Sequence, residues 1–206
     1  MILQQPAPTL PPRSVTAGQT QTHTEMSAQD SPTISDRLQK IVSGGQTGVD
    51  RAGLDAAIEH GLPIGGWCPR GRRAEDGRVP SCYPLTETPA RSYAVRTRWN
   101  VRDSDGTLIV AMDEISAGTQ LTVTCARRVG RPLQIVKLRP DSAQMRLTLE
   151  NSRTEQIESV VEWIHRHRIR VLNIAGPRGS SHELVYAESR SFVSELLDQL
   201  PLVSAD

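Results

Sequence analysis

The sequence predicts an α/β domain in which helices cover both faces of a mostly parallel sheet of about five or more strands. Short apolar runs alternate with longer segments of helical periodicity from residue 36 onward, a pattern typical of parallel strands joined by helical crossovers. The apolar runs are almost unbroken, as expected for strands that are covered on both faces. The length of 206 residues is enough for one such domain with a substantial core.

The first half of the pattern begins with QKIVS, an apolar run that ends at two glycines and predicts a strand. VDRAGLDAAIEHG follows as a helix, with Val49, Ala52 and Ala56 at helical spacing and Gly61 where a glycine often ends a helix. LPIGGW predicts a second extended segment. A long loop rich in Gly, Arg and Pro then leads to a helix over SYAVRTRWNVRDS.

The second half contains three further strands, over TLIVAM, LQIVKL and VLNIA. Between them, AGTQLTVTCARRVG predicts an amphipathic helix that ends at Gly130. TEQIESVVEWIHRHR predicts another helix because Ile157, Val160 and Ile164 fall on one face, and Thr154 is expected to cap its start. SHELVYAESRSFVSELLDQL forms the last predicted helix.

Residues 1–35 differ in composition from the rest of the chain. They are rich in Pro, Gln, Thr and Ser and lack apolar periodicity. Such a segment buries too little apolar surface to offset the entropy of ordering it, so we expect a disordered N-terminal tail. It also lacks the basic start and apolar run of a secretory signal. The ligand-binding domain is expected to occupy residues 36–206.

Composition excludes several classes of partner. The net charge of +1 offers no broad basic face, so we expect neither a nucleic-acid nor a membrane partner. The apolar runs fall short of the roughly 20 residues that a membrane-spanning helix needs. Three widely spaced cysteines, Cys68, Cys82 and Cys125, form no CxxC pair, which favours a reduced, cytoplasmic setting and gives no pattern of metal ligands.

The segment from Ser43 to Gly48, between the first strand and its helix, is the strongest candidate for a binding loop. Its glycines let the backbone pass close to a ligand, and N–H groups at a helix start attract negative charge. No Lys-Ser or Lys-Thr pair follows it as in a P-loop, and a serine takes the first glycine position of a dinucleotide fingerprint. A plain turn is the alternative, but the polar residues Gln46, Thr47, Asp50 and Arg51 favour binding.

Two further loops of small and polar residues follow predicted strands. They are Ser116 to Thr119 and Ala175 to Ser181, the second of which contains Arg178. Because loops that follow parallel strands lie at one edge of the sheet, we expect all three to form a pocket for phosphate or another oxyanion. Arg96 and Asn100 lie one helical turn apart, and they either reach this pocket or face another part of the molecule.

Six segments together resemble the molybdenum-cofactor carrier proteins, which belong to a Rossmann-like superfamily that also includes the lysine-decarboxylase-like phosphoribohydrolases. In order, they are GGQTGVDRAGLDAAI, GGWCPRGRRAEDG, YPLTET, RTRWNVRDSDGTLIV, GTQLT and LNIAGPRGS. The similarity covers about Ile41 to Leu197. It implies a Rossmann-like three-layer sandwich, assembly as a homo-oligomer (a dimer or tetramer), and binding of a phosphorylated, molybdenum-bearing pterin or of a nucleotide-like ligand.

The resemblance makes the molybdenum cofactor the expected cargo, with its terminal phosphate on the first glycine loop. The other loops are expected to support that phosphate. The candidate binding residues are Gly44, Gly45, Gln46, Thr47, Gly48, Asp50, Arg51, Arg96, Asn100, Gly118, Thr119, Gly176, Arg178 and Ser180.

One position departs from the phosphoribohydrolases that this chain resembles. Those enzymes carry a PGGxGTxxE signature and an upstream arginine. Arg96 corresponds to that arginine, and Gly118 and Thr119 correspond to the GT, but Thr122 stands in place of the glutamate. Threonine does not titrate near neutral pH, so a general acid–base group is missing at this point. The departure favours binding over catalysis.

Two alternatives stay open. A hydrolase acting on a nucleotide or phosphoribosyl compound would need Asp50 or Asp103 in place of the glutamate, although Asp103 and Asp105 precede a strand and are expected in turn and cap roles. A sensor would change its protein contacts when a nucleotide binds. The loop from Cys68 to Pro89 is a candidate lid in either case, because it is longer than most loops, and a plain surface loop is its alternative.

Overall fold

The computed structural model describes residues 37–112, 115–138 and 146–202, so the predicted tail lies outside the described residues. Strands and helices alternate as the sequence predicts. In chain order they are β1 (Lys40–Val42), α1 (Val49–Glu59), β2 (Ile64–Gly65), β3 (Trp67–Cys68), β4 (Arg73–Ala74), β5 (Gly77–Arg78), β6 (Thr86–Glu87), α2 (Tyr93–Arg102), β7 (Gly106–Ala111), α3 (Ala117–Arg128), β8 (Leu133–Lys137), α4 (Arg146–Arg166), β9 (Val171–Ala175) and α5 (Val185–Asp198).

Five of these strands form a central, all-parallel sheet in the order β2-β1-β9-β7-β8. The connection from β1 to β2 runs towards one edge of the sheet, and the connection from β7 to β8 runs towards the other. Right-handed crossovers therefore place α1 and α3 on opposite faces. Helix α1 packs on α5 and α5 on α4, whereas α2 packs on α3. The predicted Rossmann-like three-layer sandwich is confirmed.

The core lies between the sheet and these helices. The strand residues Leu108, Leu172 and Ile174 are fully buried, as expected for a sheet covered on both faces. Helix α5 contributes Phe192, the only phenylalanine of the chain, which is also fully buried. Gly53 of α1 faces Ile174, where an added β-carbon would come within 2.9 Å of that side chain. Close helix-to-sheet contact therefore requires a small residue at this point.

Two local predictions are wrong. LPIGGW is not one extended segment, because Gly66, with a φ of 122°, turns the chain from β2 into β3, which pairs with β6 in a separate two-stranded sheet. Thr154 caps no helix, because α4 begins at Arg146 and Thr154 lies inside it. The helix was predicted from apolar residues that start at Ile157, about three turns after Arg146, so its start was predicted too late.

The expected roles of Asp103 and Asp105 are confirmed. Asp103 is the C-terminal cap residue of α2, and its carboxylate accepts hydrogen bonds from Trp67 Nε1 at 2.7 Å and from the adjacent Arg102. The Asp105 carboxylate accepts the backbone N–H groups of Arg170 and Val171 at 3.0 and 2.8 Å. Both aspartates thus hold chain segments together at the start of β7, on the edge opposite the strand-to-helix loops.

Candidate functional site

Three strand-to-helix loops follow neighbouring strands at one edge of the central sheet. Strands β1, β9 and β7 are parallel neighbours, so their carboxyl ends lie side by side. We call the segments that follow them the β1 loop (residues 43–48), the β9 loop (residues 176–181) and the β7 loop, whose described part is residues 115–119. This edge is where open parallel sheets bind ligands.

The β1 and β9 loops are in direct contact. The N–H of Val49 donates to the Pro177 carbonyl at 3.2 Å, and the N–H of Gly179 donates to the Thr47 hydroxyl oxygen at 3.0 Å. Gly48 has a φ of 75°, and a β-carbon there would lie 2.6 Å from the Pro177 carbonyl oxygen. Glycine is therefore required both by the left-handed backbone and by the close approach of the second loop.

A carboxylate lies at the junction of these two loops. Strands β4 and β5 form a hairpin whose two-residue turn is Glu75 and Asp76. Oxygen Oε1 of Glu75 accepts hydrogen bonds from the Thr47 hydroxyl and from the Ser180 N–H, the latter at 3.0 Å. Oε2 accepts the Ser180 hydroxyl at 2.6 Å and lies 3.7 Å from Arg178 Nε. We call the donors from Thr47, Arg178 and Ser180 the anion cradle.

The cradle stabilises the charged form of the carboxylate that it holds. Burial by itself would raise the pKa of Glu75, but the hydrogen bonds from Ser180 and Thr47 and the charge of Arg178 outweigh burial and lower it below its ordinary value of 4.5. The neighbouring Asp76 pairs with Arg51 through two bonds of 2.6 and 2.8 Å, and these bonds lower the pKa of Asp76 as well. The hairpin turn is therefore attached by two ionised groups, to the β1 and β9 loops through Glu75 and to α1 through Asp76.

Acid is expected to release this turn. Both folded-state pKa values are depressed, so both contacts contribute above the ordinary values of 4.5 and 3.8 and are lost as the pH falls below them. The amide proton shifts of Gly179 and Ser180, followed by NMR from pH 6 to pH 3, should change over this acid range. In a Glu75→Gln variant the same shifts should vary much less. Shifts that stay constant in the unaltered protein would contradict the role given to Glu75.

A buried ion pair supports the β1 loop from below. Asp50 of α1 and Arg96 of α2 are 3.0 Å apart, with side-chain exposures of 4% and 13%. The Asp50 carboxylate also accepts the Gln46 N–H at 3.2 Å, and the Arg96 guanidinium lies where a side chain at Gly44 would have to be. Burial raises the pKa of Asp50, and Arg96 and the N–H of Gln46 only partly oppose this.

The segment from Cys68 to Pro89, the lid segment, covers the β1 loop. Leu85 and Val79 pack on Gly45, where an added β-carbon would come within 2.5 and 2.9 Å of them. Gln46 Oε1 accepts the N–H of Glu75 at 2.8 Å. Arg51, besides pairing with Asp76, donates from Nε to the Gly45 carbonyl at 3.2 Å. The β1 loop is thus held between the sheet and the lid segment.

The remaining candidates have structural partners. Asn100 is buried and bonds both main-chain groups of Trp67, which holds β3 beside α2. Thr119 is buried at the start of α3, where its N–H donates to the cap residue Ser116 at 3.3 Å, and Gly118 is exposed beside it. Gly176 lies where a side chain would overlap the Val110 carbonyl and Val49. These residues shape the site, and none has a hydrogen bond to the anion cradle in the described part of the chain.

Sequence reasoning singled out the segment from Cys68 to Pro89 as a candidate lid, which stays a prediction, and it missed Glu75 as a contact of the site. The available signal was local, because a glycine at the fourth position of a short polar stretch is typical of a β-turn. Recognising that turn in Ala-Glu-Asp-Gly, residues 74–77, would have placed both acidic residues at its centre. The loops that the turn contacts could not be predicted from this local signal, because the partners of Glu75, Thr47 and Ser180, lie 28 and 105 residues away in the chain.

Two features are absent from the described residues, a cluster of metal ligands and a membrane-spanning helix. Among residues 37–112, 115–138 and 146–202, no group of three or more His, Cys, Asp or Glu side chains could hold a metal ion. No helix in the same ranges is long and apolar enough to cross a membrane.

The parallel sheet, with helices on both faces and a glycine-rich loop after its first strand, defines a Rossmann-like protein. Comparison with family models assigns the chain more narrowly, because residues 41–197 match the model of the circularly permutated YpsA SLOG family. The chain belongs to this family.

A solved structure of similar sequence supports the same assignment. A crystal structure from Syntrophus aciditrophicus, described as a "Putative molybdenum carrier protein", is 42% identical and has a TM-score of 0.66. The match covers 79% of this chain and 94% of that one. The resemblance to molybdenum carrier proteins inferred from the six segments is therefore confirmed. No curated protein matches the chain.

Proposed function

We propose that this protein binds and carries a small phosphorylated molecule, with the molybdenum cofactor as its cargo. The anion cradle, where the β1 and β9 loops meet, would hold the terminal phosphate. The observation that carries the proposal is the Glu75 carboxylate, which receives hydrogen bonds from the β1 and β9 loops together. Donors that converge on a carboxylate are also suited to the oxygen atoms of a phosphate.

The energy available at this site is sufficient for specific binding. A hydrogen bond to a charged group contributes about 1.5–3 kcal/mol, so the four donor groups of the cradle, at about 2 kcal/mol each, would supply the roughly 8 kcal/mol of micromolar binding. Selectivity for a pterin must come from the surface that covers the ring, and the lid segment is the part of the chain placed to supply it. The carrier name of the similar crystal structure agrees with a cargo that contains molybdenum.

Binding rather than catalysis is favoured by the carboxylates near the site. Thr122 replaces the glutamate of the related hydrolases and is buried in α3. Asp50, the alternative acid, is itself buried and bonded to Arg96 and the Gln46 N–H, which leaves it poorly placed to reach a substrate. A nucleotide hydrolase that used Asp50 as its acid–base group would first have to release it from these contacts. Assembly as a dimer or tetramer stays a prediction from the family resemblance.

The test is equilibrium binding of purified molybdenum cofactor to the unaltered protein and to Arg178→Ala and Ser180→Ala variants. Each variant is expected to bind about 10- to 100-fold more weakly, because each loses one charge-assisted hydrogen bond. Arg166→Ala is the matched control, since Arg166 is 63% exposed, close to the 62% of Arg178, and lies on α4. Equal affinity of all four proteins would contradict the proposed site.

A further inference from the structure

We propose that the Glu75 carboxylate is an internal occupant of the anion cradle and that a phosphorylated ligand expels it when it binds. The turn of the β4–β5 hairpin would then close the cradle in the absence of ligand and leave it in the loaded protein. This inference rests on the proposed function, since it assigns a gating contact to the same site.

The hydrogen-bond donors of the cradle cannot serve two anions at once. Ser180 uses both its N–H and its hydroxyl on Glu75, at 3.0 and 2.6 Å, and Thr47 uses its hydroxyl. The N–H and each hydroxyl have a single hydrogen to donate. A phosphate in the same position must take these hydrogens from the carboxylate. The two negative groups would also repel each other at such short range.

The lid segment is built so that its turn can move while the rest stays in place. Val79, Tyr83 and Leu85 are buried in the core, and Arg72 donates to four main-chain carbonyls within the lid segment. Residues 73–78, by contrast, are exposed as whole residues apart from the half-buried Ala74, and the Glu75 side chain, at 19% exposure, is covered by the polar groups of the cradle. Lifting the turn therefore uncovers little apolar surface, whereas moving the rest of the lid segment would open the core.

One contact of the turn is of a kind that an anion can replace. Strands β4 and β5 are two residues long each and, among the described strands, pair with one another and with no third strand. Outside the cradle, the turn is held by the Gln46 side chain and by the bidentate Asp76–Arg51 pair, in which Arg51 is 13% and Asp76 46% exposed. The Glu75 carboxylate is the contact that competes with a ligand for the cradle, since its donors suit the oxygen atoms of a phosphate as well.

The experiment measures the binding of inorganic phosphate to three proteins: the unaltered protein, Glu75→Gln and Glu87→Gln. The method is titration calorimetry at neutral pH. The Glu75→Gln variant keeps the shape of the side chain and removes its charge. Because a site that is open in only a fraction of molecules has its affinity reduced by that fraction, Glu75→Gln is expected to bind phosphate about tenfold more tightly. Glu87→Gln removes the same charge from the lid segment outside the cradle, where Glu87 accepts only the Gly71 N–H among the described contacts. Its affinity should match that of the unaltered protein.

A double variant, Glu75→Gln with Ser180→Ala, tests whether the tighter phosphate binding of Glu75→Gln arises at the cradle. If phosphate takes the place of the carboxylate, removing the Ser180 hydroxyl should abolish most of the tightening. Equal tightening in Glu75→Gln and Glu87→Gln would overturn the inference, because it would show an effect of net charge alone. Phosphate binding by the unaltered protein without tightening in Glu75→Gln would overturn the inference and leave the proposed function standing. Absence of phosphate binding in both proteins would overturn the proposed function and this inference with it.

Discussion

Replacement of Gly48 by alanine is expected to lower the free energy of unfolding by about 2–5 kcal/mol, combining left-handed backbone strain with a steric clash. The φ of Gly48 is 75°, and a β-carbon would lie 2.6 Å from Pro177 O, 2.7 Å from Arg178 C and 2.7 Å from Gly179 N. All three atoms belong to the backbone, so no side-chain rotation can relieve the clash. The β1 and β9 loops would have to move apart.

Gly61→Ala is the control for a positive φ without a clash. Gly61 has a φ of 65°, close to that of Gly48, but no atom lies within 4 Å of an added β-carbon. Gly48 also has a ψ of −129°, a combination that is dominated by glycine, and this adds to the backbone cost at Gly48. The free energy of unfolding of Gly61→Ala should fall only by the cost of the left-handed backbone, about 1–2 kcal/mol. Chemical denaturation of the three proteins measures the difference. Equal losses at the two positions would mean that the contact between the loops contributes nothing to stability.

Gly48→Ala is also expected to weaken phosphate binding, whereas Gly61→Ala is not. The Gly179 N–H donates to Thr47, and Thr47 and Ser180 together form the cradle. Separation of the two loops therefore separates donors that have to act on the same anion. A Gly48→Ala protein that is less stable yet binds phosphate normally would show that the two loops bind independently.

Replacement of Arg96 by methionine is expected to cost about 3–5 kcal/mol of unfolding free energy, because it leaves the buried carboxylate of Asp50 without its partner. Methionine keeps the length of the side chain and removes its charge. The Asp50→Asn, Arg96→Met double variant should be more stable than Arg96→Met alone, since it buries no unpaired charge. Urea unfolding of the two single variants, the double variant and the unaltered protein completes the cycle. Additive losses would contradict an interaction between these two side chains.

The cost of Arg96→Met should also depend on pH. Burial already raises the pKa of Asp50 above its ordinary value of 3.8, and loss of Arg96 raises it further. A folded-state pKa above the unfolded value means that stability falls as the pH rises from about 4 towards the folded-state pKa. The penalty should therefore be smallest near pH 3.8 and below and largest at neutral pH. If Arg96→Met lowers the free energy of unfolding equally at pH 3.8 and at neutral pH, Asp50 is not ionised in the folded protein.

The predicted helices and strands were largely correct because their signals are local. The spacing of Val49, Ala52 and Ala56 marks α1, and these three residues are fully buried. Gly61 and Gly130 follow the helices they were expected to end, with φ values of 65° and 66°. The errors at Gly66 and Thr154 have the same origin, because neither the bend after β2 nor the first turns of α4 carries an apolar pattern of its own.

The candidate site was predicted in part. The β1 and β9 loops were expected to lie together, and Thr47, Arg178 and Ser180 do converge. Asn100, one helical turn from Arg96, was expected either to reach the pocket or to face elsewhere, and its side chain bonds Trp67. Two residues on one helix face can thus have different partners, which helical spacing alone does not distinguish.

The amino-acid sequence was enough to predict the alternation of strands and helices, the family resemblance and the edge of the sheet at which the glycine loops lie. Periodicity, turn chemistry and the alternation that makes the strands parallel are recognisable in short segments. Three features became visible in the folded chain alone: β9 lies between β1 and β7, Asp50 and Arg96 form a buried pair, and Glu75 occupies the anion cradle. These contacts join residues far apart in the chain, and they form because the packed layers bring together charges and donors that no local pattern connects.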